Sequence, residues 1–127
     1  MDVDRYLHRI NYEGTREPNL TLLAALQKQH LLHVPFENLD IHYKTPIELN
    51  VPRIFEKVVH NKRGGFCYEL NGLFYELLRL LGFNVKMVSA RVYNPDKKTI
   101  WGGSYQIATY LFLIPYINST FTIEYQL

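Results

Sequence analysis

Residues 63–72 read Arg63-Gly64-Gly65-Phe66-Cys67-Tyr68-Glu69-Leu70-Asn71-Gly72. This run holds the only cysteine of the 127-residue chain. The two glycines lack a Cβ atom and can form a turn that other residues would obstruct. An apolar pattern with helical spacing follows, so we expect Cys67 on the first turn of a helix. Free N–H groups and the positive end of the helix dipole would favour its reactive thiolate there. These residues alone also allow a buried structural cysteine.

Composition and charge narrow the class of protein. A chain of 127 residues with 47% hydrophobic content fits one domain, or one domain and a piece of another. The net charge of +2 is small and its basic residues are scattered, so neither nucleic acid nor an anionic membrane is expected as a partner. A single cysteine excludes an internal disulfide and favours a reducing, cytoplasmic location. We expect no membrane span and no secretory signal.

Four helices are expected before a β-rich tail. Capping residues and apolar periodicity place them at residues 2 or 4 to 10, 19 or 21 to 32, 50 to 60, and 67 to 81. We expect the inward-facing residues of the second helix to be Leu20, Leu23, Leu26 or Gln27, and Leu31. Its end carries His30 and His33, where the dipole favours positive charge. Residues 40–49 are expected to be irregular, and Gly82 should end the fourth helix.

The tail differs in composition from the rest of the chain. A strand is expected from Phe83 to about Tyr93, because the apolar period changes to two. Residues 105–114 and 120–125 are rich in aromatic and β-branched side chains and predict two further strands. From Thr99 to Leu127 the only charged residue is Glu124. Strands with so little polar alternation are expected to be covered on both faces.

Glu37 stands out in the otherwise apolar run from Val34 to Leu39. A carboxylate is costly to bury without a partner, and the guanidinium of Arg63 could bind it. We therefore expect an ion pair between Glu37 and Arg63 that holds the cysteine turn against the preceding helix. The alternative is that both charges are solvated.

The two motifs together carry a family resemblance. Val34-Pro35-Phe36-Glu37-Asn38-Leu39, followed by the motif around Cys67, closely resembles the arylamine N-acetyltransferases over residues 6–96. The resemblance implies an α+β fold with a cysteine-proteinase-like arrangement. A helical bundle, residues 1–82, would carry the cysteine. Residues 83–127 would form a partial β-domain, a few antiparallel strands of an incomplete barrel, with a divergent tail from about residue 99.

The resemblance also implies the chemistry. Acetyl-CoA would be the acetyl-donor substrate, with no permanently bound cofactor or metal, and an aromatic amine or hydrazine would be the acceptor. Cys67 would be the nucleophile, and N–H groups at the start of its helix would hold the developing oxyanion. The site would be supported by Arg63, Glu37 and Asn71, and lined by Phe36, Phe66 and Tyr68.

The family's triad is incomplete in this sequence. Its histidine and its acidic residue follow the cysteine, but all five histidines of this chain precede Cys67. The histidine position falls near Gln106, and no acid lies in the corresponding region, residues 118–122. A helix terminus alone would lower the thiol pKa by at most about one and a half units from about 8.5, so we expect very slow turnover or none.

Several alternatives remain open from the sequence. The chain could be a catalytically dead, truncated remnant that acts as an interaction module. It could instead be another cysteine-nucleophile enzyme, such as a thiol protease or a transglutaminase. The divergent tail could come from truncation of a relative or from a changed reading frame.

We predict that the isolated chain self-associates through its apolar tail. Residues 99–127 combine strand-forming side chains with a single charge, and uncovered strands of this kind pair with other chains. Sizing chromatography at increasing protein concentration should show species larger than the monomer. A sharp monomer peak at the highest concentration would contradict the prediction.

Overall fold

The computed structural model describes residues 1–88, 93–94, 99–100, 110–113 and 121–123, with side chains up to residue 87. The chain divides into two compact units, Met1–Phe83 and Asn84–Leu127. The first unit contains the helices and the second contains the strands. The functional division into a helical domain and a partial β-domain stays a prediction.

The first unit consists of five α-helices and one π-helical turn. Their bounds are α1 Val3–Arg9, α2 Leu20–His33, α3 Leu39–His42, α4 Val51–Phe55, the π-helical turn Glu56–His60, and α5 Cys67–Leu80. The side-chain oxygens of Asp2, Asn19 and Asn50 accept backbone N–H groups at the starts of α1, α2 and α4. These are caps of the kind predicted from the sequence, and Asn19 rather than Thr21 caps α2.

Two local predictions in this unit are wrong. Residues 40–49 were expected to be irregular, but the short helix α3 begins at Leu39, and the N–H of Tyr43 donates to the carbonyl of Leu39 at 2.9 Å. In α2, Leu20 and Leu31 are more than half exposed instead of facing inward. The leucines of this helix lie on several faces, so their spacing alone did not identify the packed stripe. The buried residues of α2 are Leu22, Leu23, Leu26 and His30.

The predicted end of the cysteine helix is confirmed. Gly82 has a φ of +90°, a conformation that favours glycine. The N–H of Gly82 donates to the carbonyl of Arg79, and the N–H of Phe83 donates to the carbonyl of Leu78. This pair of bonds is a Schellman motif, which satisfies two carbonyls at the end of α5.

Arg9 joins α1 to three other parts of the first unit. Its guanidinium donates to the carbonyl oxygens of Val58 at 2.9 Å and His33 at 2.6 Å. It also reaches the carbonyls of Lys62 and Arg63, at 3.4 and 3.5 Å. One side chain therefore satisfies carbonyl groups at the end of α2, within the π-helical turn and in the loop that leads to Cys67.

Short antiparallel strands make up the described part of the second unit. They are β1 Val85–Val88, β2 Tyr93–Asn94, β3 Thr99–Ile100, β4 Tyr110–Leu113 and β5 Phe121–Ile123. One sheet has the order β1-β4-β5, with Val85 opposite Leu113 and Leu113 opposite Phe121. β2 pairs separately with β3. β4 and β5 lie within the two tail strands predicted from the sequence, whereas the incomplete barrel stays a prediction.

Within the part of the chain that the structure describes, no helix combines the length and the apolar character that crossing a bilayer requires.

His30 departs from its expected role at a helix end. Its side chain is 4% exposed, and its ring lies 6.0 Å from the ring of Tyr6 and 5.0 Å from that of Phe74. Its Nδ1 atom is 2.9 Å from the hydroxyl oxygen of Tyr6. Burial, helped by the positive charge of Arg9, lowers the pKa of His30 from 6.5 to about 4. His30 is therefore a neutral core residue rather than a cation stabilised by the dipole of α2.

We predict that His30 makes the fold sensitive to mild acid. Its folded pKa lies below its unfolded pKa, so the unfolded chain binds the proton first as the pH falls from 6.5 towards 4. The contribution is fully present above pH 6.5, and about 3 kcal/mol of the free energy of unfolding is lost near pH 4. Urea unfolding of the wild type and of His30→Gln at several pH values in this window would measure the slope.

The matched control is His42→Gln, which removes an exposed histidine at the end of α3. The His30 variant should lose most of the pH dependence between pH 6.5 and 4, and the His42 variant should keep it. An unchanged slope in His30→Gln would contradict the prediction.

Candidate active site

The glycine turn places Cys67 at the first position of α5, as the sequence predicts. The glycines are needed for space rather than for backbone angles, since neither has a positive φ. A Cβ atom on Gly64 would lie 2.0 Å from the carbonyl oxygen of Pro35. A Cβ atom on Gly65 would lie 3.0 Å from the side chain of Leu70. The turn is therefore packed tightly on both sides.

The segment around Phe36 lies alongside this turn. Phe36 and Gly65 form an isolated parallel bridge. The N–H of Gly65 donates to the carbonyl of Pro35 at 3.3 Å, and the N–H of Glu37 donates to the carbonyl of Gly65 at 2.9 Å. The two sequence motifs, 26 residues apart at Glu37 and Arg63, thus meet through backbone hydrogen bonds as well as through side chains.

The predicted contact between Glu37 and Arg63 is confirmed. The Nε and Nη2 atoms of Arg63 both donate to one carboxylate oxygen of Glu37, at 3.1 and 2.6 Å. The same Nη2 atom also donates to Asp40 at 2.6 Å. The pair is therefore part of a larger arrangement. That Glu37 and Arg63 support catalysis stays a prediction.

Lys57 extends the pair into a cluster that the sequence did not predict. Its Nζ atom donates to Asp40 at 2.6 Å and to both carboxylate oxygens of Glu69, at 3.0 and 2.9 Å. It also lies 3.7 Å from Glu37. We call these five side chains the ion cluster: Glu37, Asp40, Lys57, Arg63 and Glu69.

The ion cluster also hydrogen-bonds to the start of the cysteine helix. Glu69 is 4% exposed, and its Oε2 atom accepts the backbone N–H of Phe66 at 2.8 Å. Phe66 is the residue immediately before α5, so this bond satisfies one of the donors left free at the helix start. The carboxylate at the start of α5 also complements the positive end of its dipole.

The charges of the cluster stabilise one another. Hydrogen bonds from Lys57 and Arg63 lower the pKa of Asp40. Burial alone would lower the pKa of Lys57, but its hydrogen bonds to Asp40 and Glu69 outweigh burial and raise it. Hydrogen bonds to Asp40 and Glu37 likewise raise the pKa of Arg63, so Asp40, Lys57 and Arg63 remain charged near neutral pH. Three carboxylates and two cations leave the cluster with a formal charge of −1.

The expected lowering of the Cys67 pKa is wrong in direction. The cysteine is half-buried, and burial raises the pKa of its thiol. Hydrogen bonds from the backbone N–H groups of Tyr68 and Cys67 lower it by less. No histidine of the described part of the chain acts on the thiol pKa. Burial of the sulfur therefore outweighs the helix terminus, and the thiol is protonated at neutral pH.

The predicted aromatic residues lie together, and two of them, Phe66 and Tyr68, flank Cys67 in the chain. The ring of Phe66 is 5.7 Å from the ring of Phe36 and 5.7 Å from that of Tyr68. Phe36 is 56% exposed, so part of this aromatic surface is open. Asn71 lies one helical turn after Cys67 on α5 and is half-buried. The lining and supporting roles of these residues stay predictions.

Other predicted features cannot be placed in this geometry. Gln106, the expected position of the family's histidine, lies outside the described residues, as do residues 118–120. Within the described ranges, no three His, Cys, Asp or Glu side chains are grouped so as to hold a metal ion.

Comparison with known proteins defines the class. A family model described as N-acetyltransferase matches residues 19–108. The arylamine N-acetyltransferase pineal gland isozyme NAT-3 of Gallus gallus is 43% identical over 97 residues, which is 76% of this chain and 33% of that protein. The chain therefore belongs to the arylamine N-acetyltransferase family. It spans about a third of the length of the curated relatives it matches.

Solved structures of this family share the fold. The arylamine N-acetyltransferase of Mycobacterium marinum in complex with CoA superposes with a TM-score of 0.82 at 34% identity, covering 96% of this chain and 45% of that one. An arylamine N-acetyltransferase of Bacillus cereus, described as having a unique Cys-His-Glu catalytic triad, gives a TM-score of 0.83 at 32% identity. It covers 98% of this chain and 48% of its own.

We predict opposite effects for two glycine substitutions near Cys67. Gly64→Ala would drive a methyl group into the carbonyl of Pro35 and should lower the free energy of unfolding by about 1–3 kcal/mol or more. Gly72→Ala is the matched control, because a Cβ atom there meets nothing within 4 Å in the middle of α5. It should raise the free energy of unfolding by about 0.5–1 kcal/mol. Urea unfolding measures both, and equal stability of the two variants would contradict this account of the turn.

Proposed function

We propose that the chain catalyses acetyl transfer from acetyl-CoA, with Cys67 as the nucleophile and an aromatic amine or hydrazine as the acceptor. The observation that carries the proposal is the position of Cys67 on the first turn of α5, behind the tightly packed glycine turn, in a chain of this family. The CoA complex of the M. marinum relative supports the donor. The Cys-His-Glu triad of the B. cereus relative supports a cysteine nucleophile.

The transfer would occur in two steps. In the first, the sulfur of Cys67 attacks the carbonyl carbon of acetyl-CoA, and the bond from that carbon to the sulfur of CoA breaks. The leaving CoA thiolate takes up the proton that Cys67 loses. In the second, the amine nitrogen attacks acetyl-Cys67 and loses a proton, and the thiol of Cys67 is restored. Backbone N–H groups at the start of α5 would stabilise the oxyanion of each step.

The residues around Cys67 would support these steps without reacting. Glu37 and Arg63 would hold the Phe36 segment against the glycine turn through their ion pair. The aromatic surface of Phe36, Phe66 and Tyr68 would receive the ring of the amine, since aromatic rings pack favourably at the separations seen here. Asn71, one turn along α5, would orient groups near the sulfur.

The raised thiol pKa sets the expected rate. A protonated thiol is a weak nucleophile, and a base that removes its proton would accelerate the first step. Gln106, at the expected histidine position, has no basic side chain. We therefore expect slow acetylation of Cys67 that becomes faster as the pH rises, and arylamine turnover that is very slow or absent. The lone cysteine also fits a reducing compartment such as the cytoplasm.

The family assignment reduces the alternatives. The matched relatives described above are arylamine N-acetyltransferases, so the thiol protease and the transglutaminase are not retained. The remaining alternative is a catalytically dead interaction module, which a failed acetylation test would favour.

We predict that incubation with acetyl-CoA adds one acetyl group to Cys67. Intact-protein and peptide mass spectrometry would detect it, and Cys67→Ala should show no gain. An aromatic amine added to the acetylated protein should then remove the acetyl group at most very slowly, and any product formed should be the acetylated amine. Absence of any acetyl-Cys67 between neutral pH and about pH 9.5, above the usual thiol pKa, would overturn the proposed function.

A further inference from the structure

Lys57 holds a central place in the ion cluster. It is 12% exposed, and its single ammonium group contacts Asp40 on α3 and both oxygens of Glu69 on α5. The backbone also holds Lys57 in place, because its carbonyl accepts the N–H of Arg63 at 3.1 Å. Lys57 therefore links three segments that meet at the start of the cysteine helix.

Lys57 is connected to that helix start through one carboxylate. The Oε2 atom of Glu69 accepts both Lys57 Nζ and the N–H of Phe66, the residue directly before Cys67. If Lys57 were absent, nothing else in the ion cluster would hydrogen-bond to Glu69, since Arg63 donates to Glu37 and Asp40. The carboxylate would then be buried at the start of α5 without a cation.

Loss of Lys57 would make the formal charge next to the start of α5 more negative. The charged groups joined to Glu69 at this helix start, directly or through Lys57, are those of the ion cluster, two residues from loops, one from α3, one from the π-helical turn and one from α5. With Lys57 their formal charge is −1, and without it the charge is −2. A more negative surrounding disfavours a thiolate at the same helix start, and a less negative one favours it.

We propose that Lys57 is a positioning residue for Cys67. It neutralises Glu69 and holds it against the first turn of α5, and in this way it keeps the thiol within reach of ionisation despite its burial. The inference rests on Cys67 as the nucleophile of the proposed function. Its test reads the thiol directly, so it gives a result whether or not the chain transfers acetyl groups.

The test measures the rate of alkylation of Cys67 by iodoacetamide against pH in the full chain. Lys57→Met should move the inflection upward by about half to one pH unit, which is about a 3- to 10-fold smaller thiolate fraction below the inflection. Lys57→Arg, which keeps the charge, should restore most of the shift. The matched control is Arg79→Met, which removes a cation paired with Glu76 at the exposed far end of α5 and should leave the inflection unchanged.

A second substitution predicts the opposite sign. Glu69→Gln keeps an oxygen that can accept the Phe66 N–H but removes the negative charge, so it should move the inflection downward. Asp40→Asn removes another carboxylate bonded to Lys57 and should move it in the same downward direction. If Lys57→Met does not fold, Glu69→Gln and Asp40→Asn are sufficient to test the proposal.

The outcomes separate positioning from a purely structural role. A structural role alone predicts lower melting temperatures for Lys57→Met and Glu69→Gln, with inflections that stay at the wild-type pH. Shifts of opposite sign in these variants support the proposal. An unshifted inflection in folded Lys57→Met, or in both carboxylate variants if Lys57→Met does not fold, would overturn it. Failure of acetyl-CoA to label Cys67 would instead count against the proposed function.

Discussion

A side chain at position 64 would place its first carbon 2.0 Å from the carbonyl oxygen of Pro35, and the arrangement of the site follows from that contact. Because Gly64 has no Cβ atom, the loop before α5 can run directly beside the Phe36 segment and exchange backbone hydrogen bonds with it. The same approach brings Arg63 to Glu37. It also fixes where α5 begins, and hence where the sulfur of Cys67 lies.

The charges that surround this contact illustrate how burial and pairing compete. Lys57 and Glu69 are largely removed from water, which would be unfavourable for either ion alone. Lys57 donates to the carboxylates of Asp40 and Glu69, which offset its desolvation. Glu69 accepts from Lys57 and from the backbone N–H of Phe66, which offset the desolvation of its carboxylate. Cys67 has no such ionic partner in the described part of the chain, and burial dominates its pKa. Burial therefore leaves Lys57 charged, because it is paired with carboxylates, and leaves the thiol of Cys67 protonated.

Local signals in the sequence were sufficient for much of the first unit. Caps such as Asn19, the terminating Gly82 and the glycine turn each act within a few residues, so their chemistry could be recognised without the fold. The pair of Glu37 and Arg63 was predictable because a lone charge in an apolar run demands a partner. Lys57 and Glu69 gave no such signal, since each lies on a helix where a charge is ordinary. Only the packing of α3, the π-helical turn and α5 shows that they are buried together. The predicted inward face of α2 was wrong for a related reason: the leucines of this helix do not form a single stripe, so only the packing shows which of them are buried.

Arg9 has a consequence for how this unit tolerates sequence change. Within the described part of the chain, its four hydrogen-bond acceptors are main-chain oxygens, at residues 33, 58, 62 and 63. A main-chain oxygen is present whatever the side chain, so substitutions at those four positions leave an acceptor in place. The arrangement therefore depends on the identity of residue 9 alone. Because substitutions at the four partner positions keep the acceptors, they would not covary with substitutions at Arg9.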